Sequence, residues 1–306
     1  MHTTVEASWT LIKRVANSWL DDYVPSMGAA LAYYTMFSLA PLLLIVISVA
    51  GLVFGQDAAR GEIETELRAM MGETGAKAVQ DLLASVHKPA EGAAATALGV
   101  LLLLIGATTV FGELQDSLDR IWHVPTRTRS TGLIELLRTR LLSFGMILAI
   151  GFLLIVSLVV SAGLATVARL WGPAFAGWQT VAAVTDAVGG FALIAIMFAL
   201  IYKVMPRVRV QWKDVWIGAV FTAILFMVGK ALIGLYIGTS GVVSGFGAAG
   251  SLVVVLVWVY YSAQIFLIGA EFTWVYANTF GSRKSLNEKQ LAEDLALENP
   301  PGLPQS

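Results

Sequence analysis

The sequence predicts an all-α integral membrane protein with six transmembrane helices, both termini cytoplasmic, an amphipathic N-terminal helix and an extracytoplasmic helical loop. Three observations carry this. Of 306 residues, 57% are hydrophobic and only 13% charged, where a soluble domain has about 25% charged residues. Six apolar runs each approach or exceed the ~20 residues that cross a bilayer. Lys and Arg are distributed unevenly between the connections, which sets an orientation.

Residues 1–27 form the first unit. Trp9, Ile12, Ala16 and Trp19 recur at helical spacing with Lys13, Arg14 and Asn17 around them, the pattern of a helix lying in the membrane interface. The membrane domain occupies residues 28–280. Span one covers about 29–54 and contains Pro41 near its middle, where a missing donor and a ring clash predict a kink. Residues 56–92 are polar, with Ile63, Leu67, Met70, Val79, Leu82, Leu83 and Val86 at helical spacing. Two short amphipathic helices capping the membrane domain fit this pattern. Spans two to six follow at about 93–111, 141–167, 181–202, 215–237 and 250–276, and a polar tail covers 281–306. The first hydrophobic run is long enough to span and lacks the cleavage pattern of a signal peptide, so none is expected.

Fourteen of the twenty Lys and Arg fall in the N-terminal segment, the 112–140 and 203–214 loops and the C-terminal segment. Five fall in the other three loops, and the last is Lys230 inside span five. Both termini are therefore expected in the cytoplasm. Trp122, Trp212, Trp216 and Trp274 then lie near the inner boundary, with Trp171 and Trp178 near the outer one, as an aromatic belt requires.

A net charge of −1 lacks the basic excess that neutralises a phosphate backbone, so nucleic acid is not an expected partner. With no cysteine, thiolate metal sites and cysteine nucleophiles are excluded. The three histidines, His2, His87 and His123, are divided between the two sides and cannot converge on one metal. There is no GxxxxGK[ST] loop, so any active movement draws on a gradient or another subunit. No cofactor is expected, and the chain reads as a non-enzyme. Ser240, Ser244 and Ser251 follow Lys230 but lack a nucleophile motif, and serines in a glycine-rich loop are ordinarily turn formers.

Several strings narrow the reading further. ALAYYTMFSLAPLLLIVISVAGLVFG in span one, ELQDSLDRIW after span two, YKVMPRVRV after span four, and GKALIGLYIG with LVWVYYSAQIFLIGAEF in the last two spans resemble the YihY/BrkB family. The resemblance covers roughly residues 20–280 in order. It implies a bacterial inner-membrane protein with six helices and cytoplasmic termini, associated with serum resistance rather than a defined reaction. An older ribonuclease label attached to that family finds no ligand set here: Glu113, Asp116 and Asp119 lack an accompanying basic groove.

Lys230 is the outstanding residue, because an ammonium at membrane depth costs about 2.5–3.5 kcal/mol on insertion scales. It lies roughly 10 Å from the outer end of span five at 1.5 Å per residue, and Asp186 in span four lies at matching depth. A structural ion pair with Asp186, a snorkelling lysine, and a cation lining a cavity for an anionic headgroup or solute all fit. Tyr34, Tyr260 and Gln264 carry polar tips into the hydrocarbon region, either as interhelical hydrogen bonds or as cavity lining. Near the inner boundary, Glu271, Glu113, Asp116 and Arg207 form either a charge network that fixes helix ends or an inner gate that relays protons or cations. Pro41 and the loop glycines Gly245 and Gly247 are hinge candidates. The leading expectation is a transporter or flippase-like translocator of a lipidic or anionic solute, with membrane lipids as partners. The alternative is a non-transporting envelope scaffold or regulatory membrane protein.

Overall fold

A computed structural model describes residues 2–86, 109–125, 145, 178–239, 245–246 and 249–285. Among the described residues the chain is helical, with no strand. The helices are α1 (His2–Asp21), α2 (Val24–Phe54), α3 (Gln56–Val86), α4 (109–121), α5 (Trp178–Val204), α6 (Trp212–Thr239) and α7 (Gly250–Thr279). Predicted span two except residues 109–111, span three except residue 145, and the tail beyond residue 285 lie outside the described residues.

Among the described residues, three helices are long and apolar enough to cross a membrane, at Ala187–Val204, Trp212–Ile237 and Gly250–Thr279. They correspond to predicted spans four, five and six. The predicted first span lies within α2, which runs unbroken through Pro41. Its entry is shaped by Pro25 in the first turn, where the missing N–H costs nothing. α3 breaks at Gly72, whose φ of 74° and ψ of 178° separate two shorter helices. Only glycine takes that conformation without a Cβ penalty. Gly72→Ala should therefore cost about 1 kcal/mol or more, read as a lower thermal midpoint of the purified protein.

α7 is the axis of the bundle, packed by α6, α2, α3 and α1, while α5 packs on α6. Small residues let these backbones approach, since lipid supplies no hydrophobic drive between helices. Gly269 on α7 faces Thr222 and Tyr202, and Gly218 on α6 faces Thr273. At the first of these contacts the Tyr202 hydroxyl donates to Phe266 O at 2.7 Å and lies 3.0 Å from Thr222 Oγ1, itself bonded to Gly218 O at 2.7 Å. Phe198, Phe226 and Phe266 surround that network, so a polar knot sits inside an aromatic cluster. A second cluster joins Met71, Ala78 and Val79 of α3 to Ile233, Ile237, Val254 and Val255, which seats α3 on the far half of α6 and the start of α7.

α1 packs across α7. Trp19 Nε1 donates to Gln264 Oε1 at 3.3 Å, and Arg14 reaches Thr279 Oγ1 at 3.4 Å. Trp9, Ile12 and Leu20 stay exposed.

Candidate functional site

The charged side chains of the bundle collect at the end where α5 turns into α6. The loop 205–211 folds back over α4: Gln115 Nε2 donates to Met205 O at 3.0 Å, and Lys203 Nζ donates to Val210 O. Asp119, fully buried, accepts the Arg207 backbone N–H on Oδ1 at 2.8 Å and the guanidinium on Oδ2 at 2.7 Å. Asp116 stands farther from the same guanidinium at 3.6 Å and is 55% exposed. Burial lifts the Asp119 carboxyl above the ordinary carboxylate range against the opposing pull of Arg207, with Asp116 adding to the lift. Glu113 is also raised, by burial first and Asp116 second, with Arg120 opposing. Of the four residues expected to group here, Asp116 and Arg207 meet, with Asp119 as the tighter partner.

Glu271 stands apart from that network. Its side chain is fully buried, and among the described residues neither carboxyl oxygen has a hydrogen-bond partner. The charged groups acting on it are Asp22 first and Asp21 second. Asp22 sits in the turn between α1 and α2, with its Oδ2 also buried and unpartnered among the described residues. His123 Nε2 lies 3.7 Å from Asp22 Oδ1. Tyr23 and His123 are the non-glycine residues with positive φ among the described residues, at 57° and 50°. Such a conformation costs about 1–3 kcal/mol each and gathers at functional sites. Here both residues flank Asp22.

Lys230 lies at the opposite half of α6. Phe226, Gly229, Ile233 and Ile237 mark the buried face of that helix, and at 100° per residue Lys230 falls about 20° beyond its edge. It is half-buried at the edge of that face and makes no hydrogen bond or ion pair among the described residues. On α5, Ala195, Phe198, Ala199 and Tyr202 are buried, but Val184 and residues 187–190 at its far end are exposed. The two helices are thus fastened at the Tyr202 end and loosely covered at the Lys230 end. The Asp186 side chain lies outside the described residues, so the suggested pair with Lys230 is not defined.

The remaining candidates are dispersed. Gln264 donates from Nε2 to Val24 O at 3.4 Å while accepting from Trp19, which makes it an interhelical tie. Tyr260 lies beside Gly28 near that tie, and Tyr34 packs edge-on against Tyr33 with ring centroids 5.6 Å apart. The Pro41 side chain and Gly247 lie outside the described residues, and Gly245 is exposed. No group of three or more His, Asp or Glu side chains that could hold a metal ion occurs among the described residues.

Sequence reasoning did not single out Asp22. Its available signal was position: an acid at the end of an amphipathic helix, just before Pro25 and an apolar span.

The family model for virulence factor BrkB matches residues 15–293. A UPF0761 membrane protein of Pseudomonas aeruginosa strain LESB58 is 29% identical over 259 residues, covering 84% of this chain and 60% of the relative. The chain thus spans 60% of the length of that relative. A UPF0761 membrane protein of Tolumonas auensis is 26% identical over 276 residues, covering 86% of this chain and 85% of the relative. A third, from Alteromonas mediterranea, is 27% identical over 270 residues and covers 87% of each chain. No solved structure matches. With membrane-length helices and a family match that takes in Asp22, Asp119, Arg207, Lys230 and Glu271 alike, the chain belongs to the virulence factor BrkB family of membrane proteins.

Proposed function

We propose that the protein is a translocator of a lipidic or anionic solute across the bacterial inner membrane, with both termini cytoplasmic. The observation that carries this reading is the half-buried Lys230, without an ion pair among the described residues, at the half of α6 where α5 is exposed. An ammonium there is costly to keep at membrane depth without a partner. A headgroup phosphate or a small anion entering between α5 and α6 supplies one. The opposite end, closed by the Tyr202, Thr222 and Phe266 contacts, acts as the seal. The solute crosses unaltered, so the chain is assigned no bond-breaking chemistry.

The test uses full-length protein in liposomes with a fluorescently labelled anionic phospholipid. Wild type should expose the inner-leaflet label to an impermeant quencher faster than protein-free vesicles do. Lys230→Met should slow movement at least about tenfold, equivalent to ~1.4 kcal/mol in the barrier, while remaining folded by thermal melt. Labelled phosphatidylcholine should move less than the anionic lipid. Equal rates for Lys230→Met and wild type, or a wild type no faster than empty vesicles, would favour the scaffold reading.

A further inference from the structure

Glu271 is the one charged residue in the thirty-residue helix α7, and it is fully buried. Both of its oxygens and Asp22 Oδ2 lack hydrogen-bond partners among the described residues. Two ionised carboxylates cannot satisfy one another, because each only accepts, and at close range like charges repel. A single proton between them makes one a donor and removes the repulsion.

Among the described residues no Lys or Arg pairs with either carboxyl in its place. Asp21 adds a second negative group from α1, and α2 contains no charged residue from Val24 to Phe54. On α6, Asp214 is bound by the Ser282 backbone N–H at 3.3 Å. Arg14 is directed to Thr279, and Arg283 lies over the Trp122 ring. From α4's end comes His123, whose Nδ1 is 3.1 Å from Ile121 O and whose Nε2 faces Asp22 Oδ1 at 3.7 Å. The His123 side chain is 56% exposed. Beside it, a cleft of about 270 Å³ between α1 and α7 is lined by Arg14, Asp21, Trp274 and Asn278. Water thus has a route to the edge of the pair.

We propose that Asp22 and Glu271 form a proton-binding site, in which the two carboxyls share one proton that His123 exchanges with solvent. In loading, a proton taken up by Nε2 leaves it as an O–H bond forms on Asp22, and the carboxyl then donates to Glu271. The imidazole returns to its neutral state. This rests on the translocation reading only for what the proton drives. The site itself joins the α1–α2 turn to the axial helix, and loading it draws those elements together.

Infrared difference spectra of the full-length protein in lipid, recorded during a pH titration, test the site without any solute. A protonated-carboxyl band should titrate in wild type. It should be lost or shifted in Glu271→Gln and in Asp22→Asn, and unchanged in Asp116→Asn. The Glu271→Gln change keeps the side-chain shape, and Asp22→Asn gives the same reading from the other partner if one variant folds poorly. His123→Asn should slow exchange of the band with deuterated solvent without removing it. Identical spectra for wild type and both carboxyl variants would overturn the proposal, as would displacement of the band by sodium at fixed pH. A band that behaves as expected in protein that moves no lipid would leave the proton site standing and remove the translocation reading alone.

Discussion

Arg207→Ala is expected to destabilise the protein by about 3–5 kcal/mol, the range for breaking one side of a buried ion pair. The cause is what it leaves behind. Asp119 is fully buried and takes its guanidinium contact at 2.7 Å, so truncation strands a carboxyl with burial raising it and a main opposing charge gone. In the variant the folded-state value of Asp119 rises further above its unfolded value. At pH below the ordinary carboxylate range both states hold the proton, and the deficit is smallest there. As pH rises, the unfolded chain gains by ionising while the folded chain does not, so the deficit grows. Thermal melts in detergent across a pH series would show this trend. Asp116→Ala serves as the comparison: its carboxylate is half-exposed at 3.6 Å from the same guanidinium, and loss of such a contact costs under about 1 kcal/mol. Equal melts for the two variants would contradict the assignment of Asp119 as the principal partner.

The second large effect is expected at Gly269. A Cβ added there would collide with Thr222 Oγ1 and with the Tyr202 hydroxyl, two atoms already committed to hydrogen bonds. Neither can withdraw freely, because Thr222 Oγ1 is also tied to Gly218 O and the tyrosine is fully buried. Gly269→Val should therefore separate α6 from α7 and cost about 1–3 kcal/mol or more through overpacking. Gly234→Ala on α6 is the control, since among the described residues nothing lies within 4 Å of where its new methyl group would sit. A Gly269→Val protein as stable as wild type would mean that these helices are not in close contact at this depth.

Spans four, five and six were legible because apolar runs of membrane length are hard to mistake. The outlying charges were legible for the same reason: Lys230 and Glu271 each interrupt a hydrophobic helix and declare themselves by their cost. Their partners were not. Asp22 and Glu271 stand far apart in sequence, and only the packing of α1 across α7 brings them together. Asp119 and Arg207 are 88 residues apart, yet one belongs to ELQDSLDRIW and the other to YKVMPRVRV. The two strings were separately recognisable, and the structure brings them into contact. The Trp9, Ile12, Ala16 and Trp19 stripe read as a single face. Trp19, near the end of α1, reaches Gln264, while Trp9 and Ile12, farther back along the same helix, remain exposed.

The uneven fastening of α5 to α6 has a mechanical consequence. Lys230 lies eight residues beyond Thr222, a lever arm of roughly 12 Å at 1.5 Å per residue. With the Tyr202 contact as fulcrum, a tilt of about 10° carries the ammonium through about 2 Å, enough to make or break a contact with an anion, while the fulcrum's own hydrogen bonds hardly lengthen.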